Sequence, residues 1–414
     1  MNTIRIILNA SCSATFIMMA GMLVAPTIGA QDLNLPYGVT DRVAPETDAA
    51  GIRLGGFTAY PKLGMSTGYD DNILAQENNE KDDVRFNIDP SLAYESNWSQ
   101  HQLSLGGFVS SALYTDYTSQ DSLDWGVGGS GQLDVLRSSN IQASLGYQHL
   151  TEDRGGISAA TIANPVDYHR LQAGAVGNHR FNQLTLSVGG QFEQLEYDNQ
   201  GQQYRDREVW TATVQGGYEF SPGYSGFVRG VFNGRNFDNL SITPGNPSQD
   251  STGYRVALGV ASELTRLISG EVYVGYLDQD YSNSAFSDVS GVSFGADLNW
   301  EVTQMTAIRV SASRDVVDAT TPGTGGILYS TAGIGIDHQL TPDVSLKSDF
   351  SYYDGDYEGT SRNDEGLRAS SQIEYRLSRK VHLDLRYQLD DRDSNAAGRS
   401  YTRHQVIFGV HLQI

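Results

Sequence analysis

The 414 residues carry 49 acidic and 28 basic side chains, a net charge of −21. That balance excludes a nucleic-acid binder, which needs clustered lysine and arginine. The single cysteine, Cys12, sits in an N-terminal apolar stretch. A chain processed after that stretch would hold neither disulfides nor cysteine metal sites, as suits an oxidising periplasm.

Residues 1–30 place Arg5 before an apolar run through Phe16, Ile17, Met18, Met19, Leu23 and Val24. With Ile28-Gly29-Ala30 at its end, the stretch reads as a secretory signal peptide cleaved after Ala30. Nowhere else is the chain apolar over the ~18 residues that a spanning helix needs. Residence in a membrane therefore has to be achieved by strands. Residues 31–54 are polar, contain Pro36 and Pro45, and show no period. They are expected to form a short, poorly ordered periplasmic segment.

From Gly55 to Ile414 the pattern changes to alternation with period two, the signature of strands with one apolar face. Val84, Phe86, Ile88 and Leu92 alternate with Arg85, Asn87, Asp89 and Ser91. Leu184, Leu186 and Val188 alternate with Thr185 and Ser187, and Leu383, Leu385 and Tyr387 with Asp384 and Arg386. About eighteen such segments follow one another, and their connections alternate between short and long. The short ones include 97–101, 181–183, 221–225, 341–343 and 378–380; the long polar ones include 70–83, 154–167, 197–207 and 237–252. This predicts an all-β, transmembrane antiparallel barrel of about 18 strands, with short periplasmic turns and longer extracellular loops. A propeller shares the spacing but would group four strands per blade without that strict alternation.

An arginine on the lipid face near the midplane costs roughly 2–4 kcal/mol, so register follows from where arginines must point. Within residues 227–236 the arginines go inward, leaving Val228, Gly230, Phe232 and Gly234 to lipid. The same rule sends Arg229, Arg235, Arg255, Arg309, Arg368, Arg376, Arg386 and Arg403 into the lumen. Arg85 and Lys347 join them, and Asp89, Glu95, Asp134, Glu193, Glu219, Glu263, Glu271, Asp297, Asp349, Glu374 and Asp384 face them there. Lys62, Arg170, Arg180 and Asp337 are assigned to strand ends. A near-neutral lumen of this kind either imposes a transverse field on solutes or holds the barrel rigid by mutual neutralisation. The remaining negative charge is assigned to solvated loops, including Asp70-Asp71, Asp82-Asp83, Asp354-Gly355-Asp356 and Asp390-Asp391-Arg392-Asp393. None of these completes a twelve-residue calcium loop.

Enzymatic motifs fail on context, and no cofactor or metal is implied. Gly-x-Ser-x-Gly at 64–68 and 291–295 lies inside strands, without the strand-turn-helix it requires. Gly-x-Gly-x-x-Gly at 126–131 is followed by no helix. His382, Asp384 and Arg386 share a lumen face, which a hydrogen-bond ladder explains as well as a hydrolase would.

The closing strand, residues 401–414, turns Val406, Phe408, Val410, Leu412 and Ile414 outward. Gly409, Leu412 and Ile414 stand where the assembly signal of outer-membrane barrels has its glycine and last hydrophobics, which points to the barrel assembly machinery as a partner. Near the start, Gly55-Gly56-Phe57, Pro61, Gly68-Tyr69-Asp70-Asp71-Asn72-Ile73, Asp89-Pro90-Ser91-Leu92, Asn97-Trp98-Ser99-Gln100-His101 and Tyr114-Thr115-Asp116-Tyr117 occur in order. This stretch resembles the β-barrel porin family, second type, of Gram-negative bacteria. The resemblance implies a barrel in the cell outer membrane, among lipid and lipopolysaccharide. It also implies gene neighbourhoods that often include exopolysaccharide export. The expectation is a passive or weakly selective channel for small hydrophilic solutes. The alternative is an outer-membrane component of exopolysaccharide export, working with polysaccharide export proteins.

Overall fold

Strands that are apolar on one face only leave backbone groups unpaired at a sheet edge, and hydrocarbon tolerates no such edge. The computed structural model describes residues 48–160, 162–198, 201–238, 248–262, 267–321 and 323–414. In it the sheet removes its edges by closing on itself. A short β1 (Ile52–Leu54) precedes eighteen barrel strands. The first nine are β2 (Phe57–Asp70), β3 (Asp83–Ser96), β4 (Gln102–Tyr114), β5 (Ser122–Leu136), β6 (Ser139–Thr151), β7 (Asp167–Phe181), β8 (Leu184–Tyr197), β9 (Arg207–Ser221) and β10 (Tyr224–Phe237). The other nine are β11 (Ser251–Ser262), β12 (Ile268–Tyr281), β13 (Val289–Thr303), β14 (Thr306–Asp318), β15 (Gly326–Thr341), β16 (Val344–Tyr357), β17 (Asn363–Ser378), β18 (Val381–Ser394) and β19 (Tyr401–Gln413). Each pairs antiparallel with its neighbour in sequence, and β19 pairs with β2 from Gln405↔Asp70 to Gln413↔Lys62. The barrel is closed, with eighteen strands, as the alternation predicted.

The turns explain the direction of the chain. Asn182 (φ 57) and Gly223 (φ 79) take the left-handed conformation that two-residue hairpins demand. The longer connections all gather at the other end. By the usual asymmetry of such barrels, that end is extracellular.

The strand faces separate as the arginine rule required. Val188, Val214, Val228, Phe232, Leu258, Val274, Val292 and Phe408 are exposed on the outside, where lipid would cover them. Tyr69, Tyr147, Trp210, Tyr254, Tyr276 and Tyr352 band the loop end; Trp98, Phe181, Phe220, Trp300 and Tyr375 band the turn end. Such paired aromatic girdles mark the two interfaces of a membrane barrel.

Two features differ from the sequence expectation. Residues 31–54 were expected without structure, yet Ile52–Leu54 pairs with the start of β2 through Ile52↔Ala59 and Leu54↔Phe57. The Gly51 amide also donates to the Ile414 carbonyl at 3.0 Å. β1 thus takes up the β2 edge where β19 stops, and leaves less of the seam unpaired. The strands also run farther into the loop end than the alternation indicated. Asp354 and Asp356 belong to β16, and Asp390, Asp391 and Asp393 to β18. The stretch 1–30, expected to be a signal peptide, and Glu263 lie outside the described residues.

The glycine of the closing strand has a local reason. Gly409 faces inward opposite Asp384, and a Cβ there would collide with the Asp384 carboxylate and approach His411 Nε2 to 3.0 Å. The outward Gly216 has open space instead. Gly409→Val is expected to lower unfolding stability in urea by about 1–3 kcal/mol. Gly216→Val should stay within about 0.5 kcal/mol of the parent. Urea titration of the refolded barrel in detergent, followed by tryptophan fluorescence, measures both.

Candidate functional site: the lumen and its inward loop

Charged side chains pointing into a barrel lose water to their neighbours and need partners. The inward arginines find them. Arg229 on β10 bonds Glu271 with both terminal nitrogens at 2.8 Å and Gln215 at 2.6 Å. Arg309 on β14 is almost fully buried and holds Asp337 and Asp349, each at 3.0 Å. Arg376 bonds Glu374 at 2.8 Å, and Arg386 bonds Gln372 at 3.1 Å. On the far wall Glu193 accepts from Arg170 at 2.9 Å and Gln172 at 2.7 Å. Glu219 pairs with Arg180 near the periplasmic turn. Asp297 lies inward, opposite Glu271 across the β12–β13 pair, and is exposed to the lumen.

Other pairs span the lumen rather than follow its wall. Arg235 on β10 reaches Asp318 on β14 at 2.7 Å and the Val316 carbonyl at 2.8 Å. Arg207 on β9 reaches the same carboxylate at 2.7 Å, and Arg255 on β11 pairs with Asp315. Asp315 and Asp318 are not among the inward acids expected from the sequence, because they lie at the rim end of β14, where the alternation fades. Asp337, assigned there to a strand end, is instead fully buried against Arg309. Arg205, Arg207 and Arg392 were missed because they lie at strand ends or beyond, where alternation gives no signal.

Three of the acidic groups assigned to solvated loops are corrected in the same way, whereas Asp82, Asp356 and Asp393 are exposed. Asp70 is buried and accepts from Arg403 at 2.6 and 2.9 Å. Asp83 accepts the backbone amides of Val84, Asp116 and Tyr117 as well as the Thr115 hydroxyl. Asp390 accepts from Tyr401 at 2.8 Å and Arg368 at 3.2 Å. These carboxylates sit just inside the extracellular rim, where the longer strands carry them into partly buried surroundings.

Part of the lumen is occupied by the connection between β6 and β7, residues 152–166. It turns inward and touches the opposite wall. Ile157 packs among Val317, Ala319, Ile327, Tyr329, Tyr353 and Tyr357, which belong to β14–β16 and the connection after β14. Tyr357 donates to the Ile157 carbonyl at 2.7 Å. The Gly155 carbonyl accepts from Arg392 at 2.7 Å and from Arg368 at 2.9 Å, and Asp153 lies 3.6 Å from Arg403. A side chain at Gly155 would put its Cβ 2.6 Å from Asp390 Oδ2, so the approach requires glycine. At its root the loop is fixed by Arg205, which pairs with Glu152 and lies over the Tyr197 ring at 4.2 Å. Burial opposes the charge of Arg205, but Tyr197 and Glu152 together hold its pKa above the ordinary arginine value.

What remains open is one side of the lumen. Inward positions on β3–β7 include Ser91, Ser104, Gly106, Ser110, Ser130, Gln142, Ser144 and Gly174, none of them buried, set among charged residues: Arg85, Asp89 and Glu95 on β3, Asp124 and Asp134 on β5, and Arg170 on β7. Inward positions on β10–β16 are packed instead, with Phe227, Val231, Arg255, Ala257, Ser293, Asn299, Ala307, Arg309 and Asp337 all buried. An aqueous path would follow the serine- and glycine-rich wall, passing beneath the loop.

Catalytic geometry does not assemble on the face that suggested it. Asp384 accepts from His411 at 2.6 Å, His382 lies 3.7 Å from Glu374, and Arg386 turns to Gln372. Both Gly-x-Ser-x-Gly matches lie within β2 and β13, and the glycine-rich match lies within β5.

Among known proteins, the family described as Putative beta-barrel porin 2 matches residues 44–414. No curated protein matches the chain. Solved structures with a similar course include Pseudomonas aeruginosa OpdL, at 12% identity and a TM-score of 0.44, covering 87% of this chain and 100% of that one. Another is Pseudomonas aeruginosa OccK2 (OpdF), at 9% identity and 0.47, covering 87% and 99%. The siderophore receptor PirA from Pseudomonas aeruginosa is similar at 8% identity and 0.45, covering 86% and 80%.

The Arg309 cluster carries a stability prediction. Arg309→Ala leaves Asp337 buried without its cation and is expected to cost about 3–5 kcal/mol. Arg309→Met combined with Asp337→Leu should recover most of the loss, since the fully buried carboxylate is gone and only the partly exposed Asp349 lacks its cation. Urea midpoints of the refolded variants decide it.

Proposed function

The chain belongs to the beta-barrel porin 2 family, and on that premise we propose that it is an outer-membrane channel for small hydrophilic solutes, passive or weakly selective. The observation that carries this reading is the asymmetry of the lumen. One wall, β3–β7, offers hydroxyl, amide and bare backbone groups that are not buried, interspersed with Arg85, Asp89, Glu95, Asp124, Asp134 and Arg170. Such a surface exchanges hydrogen bonds with water and polar solutes, and its charges are of both signs, which suits weak selectivity. The inward arginines named above are engaged by carboxylates, amides or loop carbonyls. Selection would then rest on width under the residue 152–166 loop more than on a transverse field. A dedicated conduit for an anionic polymer would need a continuous basic or aromatic track, and the pairing of these arginines works against one.

Assembly in the outer membrane would use the alternation of the closing strand, with Leu412 and Ile414 facing lipid. The barrel assembly machinery, lipopolysaccharide and outer-membrane lipid are the partners this reading requires.

The test is conductance of refolded residues 31–414 in planar bilayers, with liposome swelling in neutral sugars of increasing size. Stable openings with weak ion selectivity are expected. Replacing residues 153–160 by a short Gly-Ser linker should raise conductance several-fold and admit larger sugars. A folded, heat-modifiable barrel that conducts neither before nor after loop replacement overturns the channel reading.

A further inference from the structure

The outer face carries a group of side chains that the lumen argument does not use. His149 on β6 and His169 on β7 face outward as a directly opposed pair, in phase with the exposed Leu145 and Tyr147. Asp198, the residue after β8, closes the group. Their ligand atoms, one from each residue, all lie within 4.8 Å of one another. His169 Nε2 is 3.3 Å from Asp198 Oδ2, and His149 Nδ1 is 3.6 Å from the same oxygen. Two donors held at 2.0–2.1 Å around a tetrahedral ion stand about 3.4 Å apart. The two observed spacings fall on either side of that value.

Two further observations point toward an ion. His149 Nδ1 is buried and has no hydrogen-bond partner, an orphaned donor or acceptor that normally costs stability. His169 Nδ1 lies 3.0 Å from the Tyr147 hydroxyl. That contact leaves Nε2 as the ligating nitrogen and orients the ring, the support that metal-binding histidines generally have. Stacking of His149 on Trp125 and of His169 on Tyr147 fixes both rings further.

We propose that His149, His169 and Asp198 form a divalent metal site of the zinc type on the outer face of the barrel, beside the aromatic band at its extracellular rim. Two imidazoles and one carboxylate favour Zn²⁺, Co²⁺ or Ni²⁺ over the oxygen-seeking Ca²⁺ and Mg²⁺. Three protein ligands leave a coordination position for an outside oxygen, from water or a headgroup phosphate. A bound ion would tie β6 and β7 to the connection that carries Arg205, the residue that holds the root of the inward loop through Glu152.

The test uses the full folded barrel in detergent, free of any histidine tag, titrated with Co²⁺ and followed by visible absorption. Saturation at one ion per chain is expected, displaced by Zn²⁺ and not by a hundredfold excess of Ca²⁺. His149→Gln, His169→Gln and Asp198→Asn should each weaken binding at least tenfold, while His382→Gln leaves it unchanged. Heat-modifiability confirms that each variant is folded. Repeating the titration in nanodiscs with and without phosphate-bearing lipid tells headgroup oxygen from water at the open position. No saturable Co²⁺ spectrum in the parent, or one that persists in the triple variant, overturns the proposal.

Discussion

Closure of the sheet at the β2–β19 seam is the constraint on which the rest depends. In hydrocarbon a backbone amide has no partner except another strand, so a barrel with an open seam would leave a ladder of unpaired groups facing lipid. Pairing from Gln405↔Asp70 to Gln413↔Lys62, continued by β1, meets that demand. Once the sheet is closed, every strand has an inside and an outside, and the period-two alternation sorts side chains without further instruction. The same closure makes Gly409 necessary, because it brings the inward positions of β18 and β19 against each other.

The sorting concentrates charge in a confined space, and that space is then organised by desolvation. An arginine inside a narrow lumen is stable only when a carboxylate or a set of carbonyls faces it. Along β10–β16 these pairs and the apolar residues between them fill the lumen, so that half of the wall is rigid and closed. The β3–β7 half spaces its charges with serine, glycine and glutamine that are not buried. The inward loop belongs to the rigid half as much as to the strands it connects, since Arg368, Arg392 and Tyr357 hold its carbonyls from the opposite wall. Departure of that loop from its socket around Ile157 would widen the lumen.

The outward His149–His169–Asp198 group is a consequence of register alone. Its members are 20 or more residues apart, and no spacing motif joins them. Pairing of β6 with β7 and of β7 with β8 is what puts them side by side. Local sequence reading finds metal sites when ligands share a turn or a helix face, and it misses those assembled across a sheet.

The sequence by itself determined the strand number, the short and long connections, the faces of the strands and the inward direction of Arg229, Arg235, Arg255, Arg309, Arg368, Arg376 and Arg386. Each follows from periodicity and from the cost of a charge in lipid, both of which act within one strand. Which acid each arginine meets was decided only by the tertiary structure, because barrel curvature sets which walls face each other. Arg235 reaching Asp318 and Arg255 reaching Asp315 cross several strands, and no periodicity encodes that. The burial of Asp70, Asp83 and Asp390 was equally invisible, since the alternation fades near the rim while the strands continue. The connection at 154–167 read only as one of the long polar ones at the extracellular end. Only the closed barrel supplies the apolar socket for Ile157 and the arginines for Gly155, and so only the folded molecule decides how wide its lumen is.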